Sequence, residues 1–149
     1  MHCRSRYAPS TVIADTGFWL AVANHKDRFH ASAKAALAAL DEPLVTTWPV
    51  LTETCHLLLQ HLGSPAQQKL IEALSNGAFD VFDLTRDHSA SIQRYMKKYA
   101  DLPMDLADAS LIVLAKHLGH GRILSTDQRD FRTYRWKRHK PFENLMPMK

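Results

Sequence analysis

The sequence is poor in the features that assign many small proteins to a class. Cys3 and Cys55 are its only cysteines. A disulfide scaffold or a structural zinc site of paired cysteines is therefore not expected, and two isolated thiols suit a reducing compartment. Five glycines and seven prolines in 149 residues exclude a collagen-like or low-complexity chain. No run of about 18 apolar residues occurs, so no membrane span is expected. Met1 to Ser10 is short and polar, and no apolar run follows before Asp15. A secretory signal is not expected, and the expected location is the cytoplasm. There is no Walker-type phosphate loop and no GxGxxG. Nine histidines are present, but His25 with His30, or His117 with His120, lack the cysteines or the His-Glu-x-x-His pattern of a zinc site. Cys55 and His56 are adjacent on an expected helix, where their side chains diverge, which speaks against a thiol dyad.

What is present is a chain with 46% hydrophobic and 23% charged residues. Its length predicts one domain that can bury its own core. The net charge of +4 is unevenly spread. From Arg122 to Lys149 there are eight Lys/Arg against three Asp/Glu, a local balance of +5, and the preceding residues sum to −1.

Short β-prone runs alternate with helical stretches. Strands are expected at Thr11 to Ala14, Leu44 to Thr47, Phe79 to Leu84 and Arg122 to Ser125. Helices are expected at Phe18 to Asn24, Asp27 to Leu40, Pro49 to His61, Ser64 to Ser75, Thr85 to Tyr99 and Asp105 to Leu118. A short turn is expected after Asp127, followed by Tyr134 to Trp136 and a last segment around Pro141 to Leu145. This alternation predicts an α/β fold with a mainly parallel sheet. In such folds ligands sit outside the carboxyl ends of the strands.

That rule gives meaning to five carboxylates. Asp15 ends the first strand, and Glu53 lies early in the helix after the second. Asp105 and Asp108 open the apolar helix, and Asp127 follows the fourth strand. The fold would bring them to one edge, where their mutual repulsion would force some to hold protons. A hard divalent cation relieves that repulsion. Mg²⁺ suits carboxylate oxygens, and such an ion can activate water and stabilise a phosphoryl transition state. Each residue also has a plainer reading. Asp15 and Asp105 suit helix caps, Glu53 a favourable charge near a helix N-terminus, and Asp127 a turn. Asp108 is harder to explain that way, because it stands among Leu106, Ala107, Ala109, Leu111 and Ile112. A haloacid-dehalogenase-like phosphatase would carry Asp-x-Asp after the first strand, and Gly17 occupies the place of the second aspartate.

The segments Val12-Ile13-Ala14-Asp15-Thr16-Gly17, Leu102 to Leu111 with its Asp108-Ala109 pair, and Ile123 to Phe131, together with Glu53, resemble the PIN domain family. Within it they most resemble the VapC-like bacterial toxin ribonucleases of type II toxin–antitoxin systems. Ser125-Thr126-Asp127 is a Thr-Asp variant of the family's Thr-x-Asp strand end. The resemblance spans about Val12 to Leu145. It implies a Rossmann-like α/β/α sandwich, with residues 11–146 as the nuclease domain and 1–10 as an N-terminal extension. It also implies Mg²⁺-dependent (or Mn²⁺-dependent) cleavage of single-stranded RNA. By this resemblance Asp15, Glu53, Asp108 and Asp127 form the catalytic set, and Asp15 and Asp108 are the direct metal ligands. Asp105, Asp130, Thr16 and Thr126 would support them from behind. A homodimer and a cognate antitoxin are implied as partners.

The basic run Arg129, Arg132, Arg135, Lys137 and Arg138 suits RNA phosphates, and Tyr134 and Trp136 suit stacked bases. The alternative is a solvated edge strand whose aromatics belong to the core. Two other functions stay open: a PIN nuclease of RNA processing without an antitoxin, and a non-catalytic RNA-binding or partner-binding module.

Overall fold

A computed structural model describes residues 11–147. The expected extension, residues 1–10 with Cys3, lies outside them. In chain order the elements are β1 (Val12–Ala14), α1 (Thr16–Ala23), α2 (His30–Ala39), β2 (Leu44–Thr47), α3 (Trp48–Leu62), α4 (Ser64–Ser75) and β3 (Phe79–Phe82). A 3-10 turn, Arg86–His88, leads into α5 (Ser89–Lys98). Then come α6 (Leu106–Leu118), β4 (Arg122–Leu124), α7 (Gln128–Thr133), β5 (Arg135–Lys137), β6 (Lys140–Pro141) and β7 (Glu143–Asn144). Five strands form one sheet in the order β3-β2-β1-β4-β7, and every pairing in it is parallel. The β5–β6 hairpin is a separate antiparallel pair. Helices flank the main sheet, so the expected α/β/α architecture holds.

The short strands β1, β2 and β4 are apolar because both of their faces are covered. Val12, Ile13, Ala14, Ile123 and Leu124 are fully buried. Helix α6 buries every residue from Ala109 to Ala115, which explains its near-continuous apolar run. Truncating Leu111 or Leu114 there would cost about 2–5 kcal/mol. Gly119 ends α6 in the left-handed conformation, φ 81°, which glycine adopts without a Cβ penalty.

The structure departs from expectation in several places, and α2 starts at His30, three residues after the expected Asp27. Helix α1 starts at Thr16, two residues early, because Asp15 caps it. Strand β3 ends at Phe82 rather than Leu84, and a 3-10 turn intervenes before α5. The turn expected after Asp127 is the helix α7, capped by Asp127. The last segment supplies a fifth strand, β7, on the far side of β4.

Tyr134 and Trp136 are also corrected. Tyr134 is completely buried and Trp136 nearly so. The Tyr134 ring packs edge-on against Tyr99 and Phe131, and the Trp136 indole N–H donates to the Pro141 carbonyl at 3.0 Å. Neither ring is available to stack on a base.

Gly17 is a close-approach position. A Cβ there would fall onto the Thr126 hydroxyl, with Thr126 Cβ at 3.2 Å. Gly17→Ala is therefore expected to lower stability by about 1–3 kcal/mol in urea unfolding. An unchanged midpoint would contradict this contact.

Candidate active site

The site is built at the carboxyl edge of the sheet. Asp15 follows β1 with an extended backbone, φ −96° and ψ 167°. Its Oδ1 accepts the Thr16 N–H at 2.7 Å, and its Oδ2 accepts the Ser125 hydroxyl at 2.9 Å. Its own N–H donates to the Leu124 carbonyl at 3.1 Å. Ser125 is buried just beyond β4, and its Oγ also accepts the Asp127 N–H at 3.0 Å. One serine thus holds Asp15 and the Asp127 loop together. Asp127 in turn caps α7, accepting the Asp130 N–H at 3.2 Å.

The second half of the site is the start of α6. Asp105 Oδ1 accepts the Asp108 N–H at 2.8 Å, and Asp108 Oδ2 takes the Asp105 N–H at 3.4 Å, a reciprocal capping box. The Tyr134 hydroxyl donates to Asp108 Oδ2 at 3.3 Å. The ends of β2 and α6 are joined by the Thr47 and Ser110 hydroxyls, 2.6 Å apart. Thr46 Oγ1 ties β2 to β1 by donating to the Ala14 carbonyl at 2.8 Å. Thr47 and Pro49 start α3, which carries Glu53 on its second turn.

The electrostatics show that these carboxylates share one environment. Burial pushes Asp15 up to about 6; the hydrogen bonds from Thr16 and Ser125 oppose this, and the charges of Glu53 and Asp127 add to it. Burial, then Asp105 and Asp15, push Asp108 up to about 8. Glu53 is raised by burial, eased by the Thr16 hydroxyl and raised further by Asp105. Asp130 is raised by burial and then by Asp127. No basic side chain is among the causes acting on Asp15, Asp108 or Glu53. Glu53, Asp108 and Asp127 thus each interact electrostatically with Asp15, while Asp105 acts on Glu53 and Asp108, and Asp127 acts on Asp130. The cap readings of Asp15 and Asp105 hold, and Asp127, read from sequence as a turn residue, caps α7 instead. Thr16 is buried beside Glu53, and Thr126 lies over Gly17.

The basic run divides. Arg129 and Arg132 are exposed on α7, next to the carboxylate edge. Arg135 Nη1 lies 2.6–3.1 Å from the carbonyls of Arg132, Thr133 and Tyr134, where it closes the end of α7. Lys137 and Arg138 follow Trp136 at the end of β5 and in the turn of the β5–β6 hairpin. Trp136 packs beside Gly121, which precedes β4, so these two cations lie toward the opposite edge of the sheet. Ser125 and Tyr134 were not legible as site residues. A serine after a strand and an aromatic in a basic segment carry no signal of the carboxylates they contact.

Among the described residues, no three His, Cys, Asp or Glu side chains form a ready metal cage. The donor set still fits a divalent cation of the Mg²⁺ kind, which typically takes one or two carboxylates and keeps several waters. Asp15 is buried, Glu53 and Asp108 are half-buried, and the charges acting on these three are those of other carboxylates.

Raised carboxyl pKa values have a stability consequence. From about pH 4 to 8 the unfolded chain releases protons that folded Asp15 and Asp108 retain, so their contribution to stability falls as pH rises. In metal-free buffer, Asp108→Asn is expected to raise Tm by about 2–4 °C at pH 8 and to leave it nearly unchanged at pH 4. Calorimetry at the two pH values checks this, and an equal shift at both would contradict it.

The comparisons with known proteins agree with this geometry. The family model described as PIN domain matches residues 12–137. Ribonuclease VapC26 of Mycobacterium tuberculosis is 27% identical over 124 residues, covering 83% of this chain and 92% of that protein. The crystal structure of Mycobacterium tuberculosis VapC20, described as a sarcin–ricin loop cleaving toxin, superposes with a TM-score of 0.74 at 23% identity. That match covers 79% of this chain and 91% of the other, and shows a shared fold. With a family match across most of its length and the carboxylates gathered at the sheet edge, this chain belongs to the PIN domain family.

Proposed function

We propose that the protein is a metal-dependent endoribonuclease that hydrolyses phosphodiester bonds in single-stranded RNA regions, acting as the toxin of a toxin–antitoxin pair. The observation that supports this reading is the electrostatic coupling of Glu53, Asp108 and Asp127 to the buried Asp15 at one sheet edge. The similarity to a VapC ribonuclease supports the substrate class and the antitoxin partner. Lone caps would not need such mutual proximity, and a module that had lost its chemistry would not need the complete acidic set.

In this proposal Asp15 and Asp108 hold the metal, Mg²⁺ or Mn²⁺. When bound, the cation supplies charge to the scissile phosphate and a water of lowered pKa. Ser125 and the Thr16 N–H fix the Asp15 carboxylate, so it need not reorganise on binding. Tyr134 and the Asp105 N–H fix Asp108 in the same way. Glu53 and Asp127 flank Asp15 and orient the attacking water, with neither assigned as the general base. Asp105 and Asp130 set the charge of the rim, and Thr126 keeps the Asp127 loop against Gly17. Arg129 and Arg132 contact the RNA backbone. The exposed Leu59, Leu62 and Ile71 offer a second copy of the chain an apolar surface for a homodimer.

The test is cleavage of single-stranded RNA by the purified chain. Wild type is expected to cut with Mg²⁺ or Mn²⁺ and to stop in EDTA. Asp15→Ala and Asp108→Asn are expected to lose about 100-fold or more of the rate while remaining folded. Wild-type turnover by Asp108→Asn would refute the assignment.

A further inference from the structure

Two unlike cavities lie on either side of Asp15 along the sheet edge. The first, about 620 Å³, lies above β2 and β3 between the starts of α3 and α6. Trp48, Leu84, Leu106 and Ala107 line it, and Glu53 and Asp105 form part of its wall. Trp48 is the first residue of α3 and is 50% exposed, whereas the other two tryptophans, Trp19 and Trp136, are 9% and 8% exposed. A large aromatic left half in water, one turn from a site carboxylate, is not explained by packing.

The second cavity, about 560 Å³, lies beyond β4. It is polar, and Arg28, Ser32, Thr126, Asp127, Gln128 and Arg129 line it. Arg28 is exposed just before α2, with its guanidinium 4.7 Å from the centre of the Phe29 ring. The strand order β3-β2-β1-β4 puts the cavities on opposite sides of β1. Asp15 lies between them, and Glu53 and Asp105 face the first and Asp127 the second.

We infer that the substrate strand crosses this edge with one unpaired base stacked on Trp48 and a neighbouring backbone phosphate held by Arg28 and Arg129. Single-stranded RNA is an anionic chain that carries flat, apolar side groups. It suits both cavities at once, whereas a peptide helix laid in the first would leave the paired arginines unused. The stacking face gives affinity through a contact that every base can make. The arginines supply the phosphate term and set the register of the strand on the carboxylates. Neither residue belongs to the acidic set. This rests on the ribonuclease reading, and the experiment separates the two.

The probe is a fluorescein-labelled, mixed-sequence single-stranded oligoribonucleotide. Its binding is measured by anisotropy over a salt series, on the full chain carrying Asp108→Asn so that bound RNA stays intact. Adding Trp48→Ala is expected to weaken binding about tenfold with the salt slope unchanged, and Trp48→Phe to recover most of the loss. Arg28→Ala is expected to reduce the salt slope by about 0.7, the value of one phosphate contact on a single strand. Unlabelled RNA is expected to quench the tryptophan fluorescence of the chain with Trp48 and not of Trp48→Ala. Affinity and slope unchanged in both variants would overturn the inference. So would a Trp48→Ala chain that loses self-association or a protein partner while binding RNA normally. If the chain without Asp108→Asn fails to cut RNA with either metal, the ribonuclease reading falls and takes this inference with it. If it cuts and the variants bind as before, only the inference falls.

Discussion

Confining like charges to one edge of a parallel sheet is the constraint on which the rest of this molecule depends. Glu53 and Asp127 raise the proton affinity of Asp15, Asp105 and Asp15 raise that of Asp108, and Asp105 raises that of Glu53, where burial has already removed part of the solvent screening. A fold that accepts this must hold Asp15 and Asp108 by donors. Those donors are the buried Ser125 hydroxyl, the Thr16 and Asp105 backbone N–H groups, and the Tyr134 phenol. The surrounding packing serves the same end. Thr46 and Thr47 pin β2 to β1 and α6, and Gly17 lets Thr126 close over the start of α1. The raised proton affinity of Asp15 and Asp108 is stability given up as pH rises, and in the proposed function it prepares the edge for a cation.

The helix caps and the chemistry are not competing explanations. An aspartate at a helix N-terminus commits one oxygen to a backbone N–H. Asp15 and Asp127 do this for α1 and α7, while their charges still reach each other across the end of β4. In an α/β/α sandwich the strand ends and helix starts coincide, so the best capping positions are also the positions that face the ligand. The same economy explains why Asp105 and Asp108 form a capping box and a rim of the site together.

The parallel sheet was legible because β1, β2 and β4 are short apolar runs and α6 is apolar nearly all round. The carboxylates were legible because order and spacing place them at strand ends and helix starts, whatever the intervening packing. Helix α7 was not, since Gln128 to Thr133 has one buried apolar residue, Phe131, and so no period to read. Strand β7 was missed for a similar reason, being two polar residues whose partner lies 21 positions earlier in register, Arg122 opposite Glu143. Tyr134 and Trp136 were ambiguous because an aromatic between cations reads equally as a base platform or as core. Only burial decides, and it decides for core. Exposure is likewise what singles out Trp48, which the sequence shows only as the residue before a helix-starting proline.

The net charge of +4 therefore does not describe one basic surface. Arg135 closes a helix, Lys137 and Arg138 lie toward the far edge, and the arginines beside the site are Arg28, Arg129 and Arg132. The claim on which the account stands is that the carboxylate edge binds a divalent cation. Electron paramagnetic resonance of free Mn²⁺, titrated with the purified chain at pH 7, tests it most directly. Wild type is expected to remove the free-ion signal, and Asp15→Asn and Asp108→Asn to do so much more weakly. Equal Mn²⁺ uptake by wild type and both variants would contradict it.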